Sequence, residues 1–352
     1  MRHADVVIAG AGIIGLTAAL ELALAGARVT VFERGHAMRE SSWAAAGMLA
    51  AFDPENPPEL RRLSELSLSL YPQFLATVER LSGKRIPIVS TQTLQGVHAL
   101  PPNARQLSAE TVQALAPGLQ TNGLRFFLLE EQCLDPRDLV TALPLAAKAA
   151  GVALLEQTAV TAVESQPGSV QIQTTSGSWS AAGFINACGA WATALSGISI
   201  TPRKGQVLVV EHPDMYADQQ LTASVRTPHL YLISRAGQRV LIGATVEHAC
   251  YDKHIDPAAI TALHHAAAEF WPPIRHARVI DTWSGLRPAS PDSLPVIGEL
   301  TAHMWLALGH FRNGILLAPG TARLLREMIL EQPLSIDMHA FSPNRFAASD
   351  TR

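Results

Sequence analysis

Residues 5–33 read DVVIAGAGIIGLTAALELALAGARVTVFE, and this stretch decides the fold. An apolar strand, DVVIAG, runs into Gly10-Ala11-Gly12-Ile13-Ile14-Gly15. A helix, LTAALELALAG, follows, and a second strand, RVTVFE, ends on Glu33. Gly10 suits the tight turn, Gly12 lets the backbone approach a pyrophosphate, and Gly15 lets helix and strand pack closely. The helix N-terminus then offers N–H groups and its dipole to phosphate. Glu33 lies eighteen residues past Gly15, where an acid can accept hydrogen bonds from an adenosine ribose. A lone GxGxxG is a weak signal. Here the strand before, the helix after and the acid at the end make it a dinucleotide-binding unit.

Composition sets the rest of the frame. The chain has 352 residues, 48% hydrophobic and 16% charged, with a net charge of −3. That is a globular chain large enough for two lobes of one enzyme. No basic patch calls for nucleic acid. The three cysteines, Cys133, Cys188 and Cys250, are far apart and form no CxxC. This suits a reducing cytoplasm and argues against a disulfide framework or a zinc site. The N-terminal apolar run contains Asp5 and Glu21, so it is not read as a signal peptide. No run reaches the ~18 unbroken apolar residues of a membrane span.

The remaining elements alternate. Helices are expected over 59–81, in SAETVQALAP with Ser108 at its start, and in DLVTALPLAAKAAG after Asp135-Pro136. AAITALHHAAAEFW gives another. Strands are expected in VALLEQTAVTAVES, SVQIQTTSG, GFINACGAW, GQVLVVEH, HLYLISR and QRVLIGATV. MWLALGHFRNGILLAPGTARLLREMIL reads as strand, glycine turn and helix. It can bring a second helix N-terminus to the same ligand, where it stabilises negative charge. The tail, 336–352, reads as partly loose.

The motifs together resemble the D-amino acid oxidase family of FAD enzymes. The resemblance rests on VVIAGAGIIGL at 6–16, FE at 32–33, SSWAAAGML at 41–49 and LDPRDL at 134–139. INACGAWA at 185–192, YLISR with VLIGATVE at 231–247, SGLRP at 284–288 and GHFRNGILLAP at 309–319 complete it. It implies a mixed α/β (α+β) fold, in which a Rossmann-like FAD-binding domain is interleaved with a β-rich substrate-binding domain. The expected FAD-binding parts are 1–80, 134–200 and 281–335. The expected substrate-binding parts are 81–133 and 201–280. The cofactor expected is FAD, held non-covalently, since the last cysteine is Cys250 and the family's covalent cysteines lie near the C-terminal end.

The resemblance also implies roles for residues. Ile13, Ile14 and the glycines hold the pyrophosphate, with Glu33 and Arg34 at the adenosine ribose. Ser41, Ser42, Ala46, Gly47 and Met48 line the path to the isoalloxazine. Val160 offers its backbone to the adenine, near Cys188 and Gly189. His310, Phe311, Arg312, Asn313, Gly314, Ile315 and Leu316 border the flavin's pyrimidine end. Arg287 is the expected carboxylate clamp, with Arg312 and Tyr231 as further substrate contacts.

Chemistry supports these choices and leaves alternatives. Oxidising an amino acid at its α-carbon needs alignment to the flavin within roughly 3–3.5 Å more than it needs a base. A planar guanidinium fixes a carboxylate by two parallel hydrogen bonds, setting angle as well as distance. Arg287, flanked by Gly285 and Pro288, reads as held in a constrained turn, or else as half of a structural ion pair. Arg312 reaches a carboxylate, or it stabilises its own loop. Tyr231 donates its hydroxyl to substrate, or it is core. His310 is read as a backbone contact rather than an acid–base group, and His264-His265 as surface or packing residues.

The activity expected is oxidative deamination of glycine or a small amino acid or amine. A hydride passes from the α-carbon to flavin N5, and the products are oxo acid, ammonia and hydrogen peroxide. The resemblance is strongest to the family's branch of bacterial thiazole (thiamine) synthesis. The partners are then a small amino acid and O2, with a homo-oligomer left open. The alternative is a D-amino acid dehydrogenase of the same family that passes electrons to a quinone or a partner protein. A flavin subunit without its own site, or an NAD enzyme, fits the C-terminal motifs poorly.

Overall fold

The computed structural model describes residues 2–211 and 220–346. Two sheets organise it. The first runs, from edge to edge, Val296–Thr301, Met304–Leu308, Gly177–Asn186, β1 (Arg2–Ala9), β2 (Val29–Phe32) and Ala153–Leu155. β1 pairs in parallel with both β2 and Gly177–Asn186, which makes it central. A strand with neighbours on both sides must be apolar on both faces, and VVIA supplies that, at 0–3% exposure.

Helix α1 (Ile13–Leu24) leaves the end of β1 with Gly12 at its N-cap. Gly12 has no side chain to cap it. It packs against helices Gly314–Ile329 and Pro136–Ala149, with Arg61–Ser82 beyond, to form one core under the sheet. The other face is covered by the antiparallel ribbon Val160–Gln166 and Ser169–Thr174, around Phe32 and Trp179. Asp135 caps its helix by accepting from Arg137 N, and Ser108 accepts from Thr111 N, as their positions in the sequence suggest.

Two of these helices are joined by a substituted hydrogen bond. Pro319 lies inside helix Gly314–Ile329 and has no N–H for the carbonyl four residues back, that of Ile315. Tyr71, on helix Arg61–Ser82, donates its hydroxyl to that carbonyl at 2.5 Å. One turn away, Ser67 accepts from Gly320 N at 3.0 Å. A Cβ at Gly320 would lie 2.4 Å from the same Ser67 oxygen.

The second sheet runs Arg278–Ala289, Thr201–Glu211, Arg239–Gly243, Tyr231–Arg235, Ser224–Arg226, Thr93–Val97 and Arg125–Leu129. One face is covered by helices Ala109–Leu115 and Pro257–Phe270. The other faces the first lobe. Between the lobes lies the segment read from SSWAAAGM, whose first four residues form a short helix, Ser41–Ala44. Trp43 meets Trp283 edge-on at 5.5 Å, and Trp283 Nε1 donates to Ala44 O. Arg137 stacks on both rings. The lobes are therefore welded by aromatic packing at this segment.

Three expectations change. SGLRP is not a turn: it lies inside strand Arg278–Ala289, paired throughout with Thr201–Glu211. Pro288 is tolerated because this is the edge strand of its sheet. The expected boundary at 281 for the same reason falls inside a strand of the second sheet, and the chain crosses back only at Ala289, which bridges to His310. The tail is docked as far as residue 346, with Phe341 buried and Arg345 paired to Asp292 at 2.8 Å. Residues 347–352, and His212 at the end of GQVLVVEH, lie outside the described residues.

Candidate active site

The glycine loop opens onto a cavity of about 620 Å³ that runs between the lobes, within the size range of small-molecule sites. Its first end is built by close approach. Gly10 has φ 102, and a Cβ there would lie 2.4 Å from Ala187 O. A Cβ at Gly15 would lie 1.9 Å from Gly10 O. Ser42 accepts from Ile13 N at 2.9 Å. Glu33 accepts from Ala11 N at 2.9 Å and Gly35 N at 2.8 Å, so the acid braces the glycine loop as well as lining the cavity. A bare backbone at Gly12 and a helix N-terminus with only its first N–H taken, by Ser42, form the cradle a pyrophosphate requires. These residues fit FAD.

All the expected lining residues except two reach the cavity wall. Gly10, Gly12, Ile13, Ile14, Glu33, Arg34, Ser41, Ser42, Ala46, Gly47, Met48, Val160, Cys188, Gly189 and His310 through Ile315 line it, as do Tyr231 and Arg287. Gly15 does not, because it is packed against Gly10 beneath the loop. Leu316 does not either: as the third residue of the helix it has turned its side chain into the core, at 0% exposure. Arg34 stacks at 3.6 Å on Trp191, which stacks in turn on Tyr251; nothing in the sequence motifs points to this aromatic pair. Of the cysteines, only Cys188 lines the cavity, beside Glu33, and burial pushes its thiol up to about 12.

The far end is built by the second sheet. Its first and fourth strands lean side chains over glycines of the two strands between them. Arg287 lies across Gly205, where a Cβ would sit 2.3 Å from Nη1. Tyr231 lies across Gly243, where a Cβ would sit 2.2 Å from the hydroxyl. Arg287 Nη1 donates to Thr245 O at 3.2 Å. Burial pushes the Tyr231 hydroxyl up, and Arg287 draws it back. A guanidinium and a phenol thus converge on one wall, a pairing suited to a carboxylate. Burial lowers the basicity of Arg287, and the Glu247 carboxylate raises it only from a distance. Arg287 forms no direct ion pair among the described residues, which disfavours the ion-pair alternative for it.

Arg312 is placed differently. Its Nη1 donates to Glu55 at 2.7 Å and its Nη2 to Asp53 at 3.2 Å. It lines the cavity with its charge already balanced, which favours the loop-stabilising alternative. His310 is buried and shares a hydrogen bond with Thr321 at 3.0 Å. Burial pushes its imidazole down to about 3, so it is neutral at pH 7. His264 bonds Ile274 O, and His265 is exposed beside Glu269. Among the polar lining residues that sequence reasoning missed are Asp53, Glu55, Gln95 and Arg226. The first two lie in a stretch that reads only as a connector.

A dinucleotide cradle that opens onto a second, β-built lobe is the arrangement of a flavin-dependent oxidoreductase. The chain belongs to the DAO family of FAD dependent oxidoreductases, whose model matches residues 5–328. It is 31% identical to the glycine oxidase of Geobacillus kaustophilus, over 97% of each chain. The crystal structure of glycine oxidase from Geobacillus kaustophilus superposes with a TM-score of 0.90 at 29% identity, covering 97% of this chain and 98% of that one. The Bifunctional protein ThiO/ThiG of Trichormus variabilis is 34% identical over 97% of this chain and 55% of its own length. The chain thus spans about half the length of the curated relatives of that bifunctional kind. No helix among the described residues is long and apolar enough to cross a membrane.

Two outcomes follow. Gly205→Ala puts a methyl into the Arg287 guanidinium, so the KM for a carboxylate substrate should rise about tenfold or more (~1.4 kcal/mol) while FAD affinity is unchanged. Steady-state kinetics with a flavin titration checks both. His310 gives a pH effect. Its folded value is lowered, so the unfolded chain takes up a proton near pH 6.5 that the native fold refuses until about 3. Its stabilising contribution is complete above pH 6.5 and is lost as pH falls towards 3. Urea unfolding at pH 7, 5 and 4 should show a steeper loss for the wild type than for His310→Gln.

Proposed function

We propose that the protein is an FAD-dependent oxidase of glycine or another small amino acid or amine, yielding oxo acid, ammonia and hydrogen peroxide. The observation that carries this reading is the convergence of Arg287 and Tyr231 over Gly205 and Gly243, at the end of the cavity opposite the glycine loop. The relatives named glycine oxidase support glycine as the first substrate to try, and the ThiO/ThiG relatives support a role in thiamine synthesis. A cytoplasmic site of action agrees with the cysteine usage.

Bound FAD supplies the two-electron acceptor for the α-C–H bond and passes the electrons to O2. The chain's own residues supply orientation. Arg287 fixes the substrate carboxylate in plane, and Tyr231 donates a third hydrogen bond from the adjacent strand pair. The wall around them is closed by Ala46, Met48 and Val207, which exclude water and strengthen those bonds. Neutral His310 adds no positive charge near the Gly309–Gly314 loop, so the loop's backbone and the following helix N-terminus set the field there. Water then hydrolyses the released imine to the oxo acid and ammonia. No described cysteine other than Cys188 reaches the cavity, which favours non-covalent FAD.

An anaerobic spectrum during addition of glycine, followed by air, tests the activity. The flavin should bleach, then recover in air with release of peroxide. Bleaching without recovery would assign the electrons to a quinone or protein acceptor, and no bleaching with glycine, sarcosine or D-alanine would sink the substrate class. Arg287→Ala should leave FAD bound and weaken catalysis by about 2–5 kcal/mol in kcat/KM. Acid precipitation should leave all the flavin in the supernatant.

A further inference from the structure

Asp53 stands between two guanidinium groups on the cavity wall. Its Oδ2 accepts from Arg312 Nη2 at 3.2 Å and lies 3.6 Å from Arg226 Nε. All three residues line the cavity. Each arginine has a further partner of its own. Arg312 has Glu55 at 2.7 Å, and Arg226 has Glu131 at 3.0 Å and Gln95 Oε1 at 2.6 Å. Asp53 is therefore the carboxylate that the two arginines share. Its side chain and that of Arg226 are 8% and 7% exposed, so the pair is withheld from water. Arg226 Nη2 is buried and has no hydrogen-bond partner among the described residues. Arg226 also pairs directly with Tyr231 across adjacent strands, which puts it on the face that carries the substrate contacts.

We propose that Asp53 is a specificity-determining residue: it fills, with the protein's own carboxylate, a subsite that would otherwise take a second anionic group of the substrate. The proposal rests on the amino acid oxidase reading above. A buried guanidinium, Arg226, and a partly exposed one, Arg312, share one buried carboxylate and make an anion site. While Asp53 occupies it, a second carboxylate arriving from the cavity meets a like charge. Specificity of this kind is a repulsive element, built against the wrong ligand and not towards the right one. It selects monocarboxylic amino acids such as glycine over dicarboxylic ones. The segment that carries Asp53 is anchored on both sides. Phe52 N donates to Glu131 at 2.8 Å, and Glu55 N donates to Asp53 Oδ1 at 3.0 Å.

The test compares the wild-type holoenzyme with Asp53→Ala and Asp53→Asn. Glycine is the monocarboxylic substrate and iminodiacetate, which needs no stereochemical match, the dicarboxylic one. Malonate and acetate are non-oxidisable probes, followed by calorimetry. In Asp53→Ala, kcat/KM for iminodiacetate should rise about tenfold or more relative to glycine, and malonate should bind about tenfold tighter than to the wild type while acetate changes little. Asp53→Asn keeps the shape and removes the charge, so it should show the same direction at lower amplitude, and it reports if the alanine variant fails to fold. Unchanged iminodiacetate-to-glycine ratio and unchanged malonate binding in a folded, flavin-loaded variant overturn the proposal. Loss of glycine and iminodiacetate turnover alike in that variant, without malonate gain, overturns it in favour of a purely structural Asp53. If the wild type oxidises none of glycine, sarcosine and D-alanine, the amino acid reading has failed, and malonate binding alone then decides the anion subsite.

Discussion

The contact between Gly15 and the carbonyl of Gly10 is the constraint from which the site is built. A side chain at Gly15 would begin 1.9 Å from that oxygen. Its absence lets α1 start directly beneath the end of β1, so the helix N-terminus faces the cavity at the level of the strand end. Glu33 then ties the loop to the end of β2 through Ala11 N and Gly35 N. Everything that lies along the cavity is positioned from this corner. Segment 41–48 rests on it through Ser42, and the second lobe rests on segment 41–48 through Trp283 and Gly285.

The same device recurs at the other end, with a different purpose. At the nucleotide corner a missing side chain lets backbone meet backbone. On the second sheet, Gly205 and Gly243 make room for the side chains of neighbouring strands. Arg287 and Tyr231 are thereby laid flat and pointed at each other, with little freedom to rotate. Orientation is obtained from packing, before any substrate arrives, which is what an alignment-dependent reaction needs.

Much of this was legible. The nucleotide corner is local, so spacing within residues 5–33 sufficed. Arg287 and Tyr231 were carried by short motifs whose residue types fit one chemistry. What was not legible depends on distant pairing. SGLRP reads as a turn because glycine and proline flank an arginine, and only pairing with Thr201–Glu211 makes it a strand. The commitment of Arg312 to Asp53 and Glu55 spans more than 250 positions (257 for Glu55), and nothing near Arg312 announces it. Leu316 belongs to a motif, but the helical turn sends it inward. The tail is polar, yet one buried phenylalanine and one ion pair dock it.

Pro319 and Tyr71 carry an evolutionary consequence. The carbonyl of Ile315 is left open by one residue and closed by the other, from helices far apart in the chain. Losing the hydroxyl alone would strand a buried acceptor, at a cost of about 1–3 kcal/mol. Regaining an N–H at position 319 alone would set two donors on one carbonyl. The two positions are therefore expected to change together among relatives or not at all, and with them the seating of the helix that begins at the Gly309–Gly314 loop.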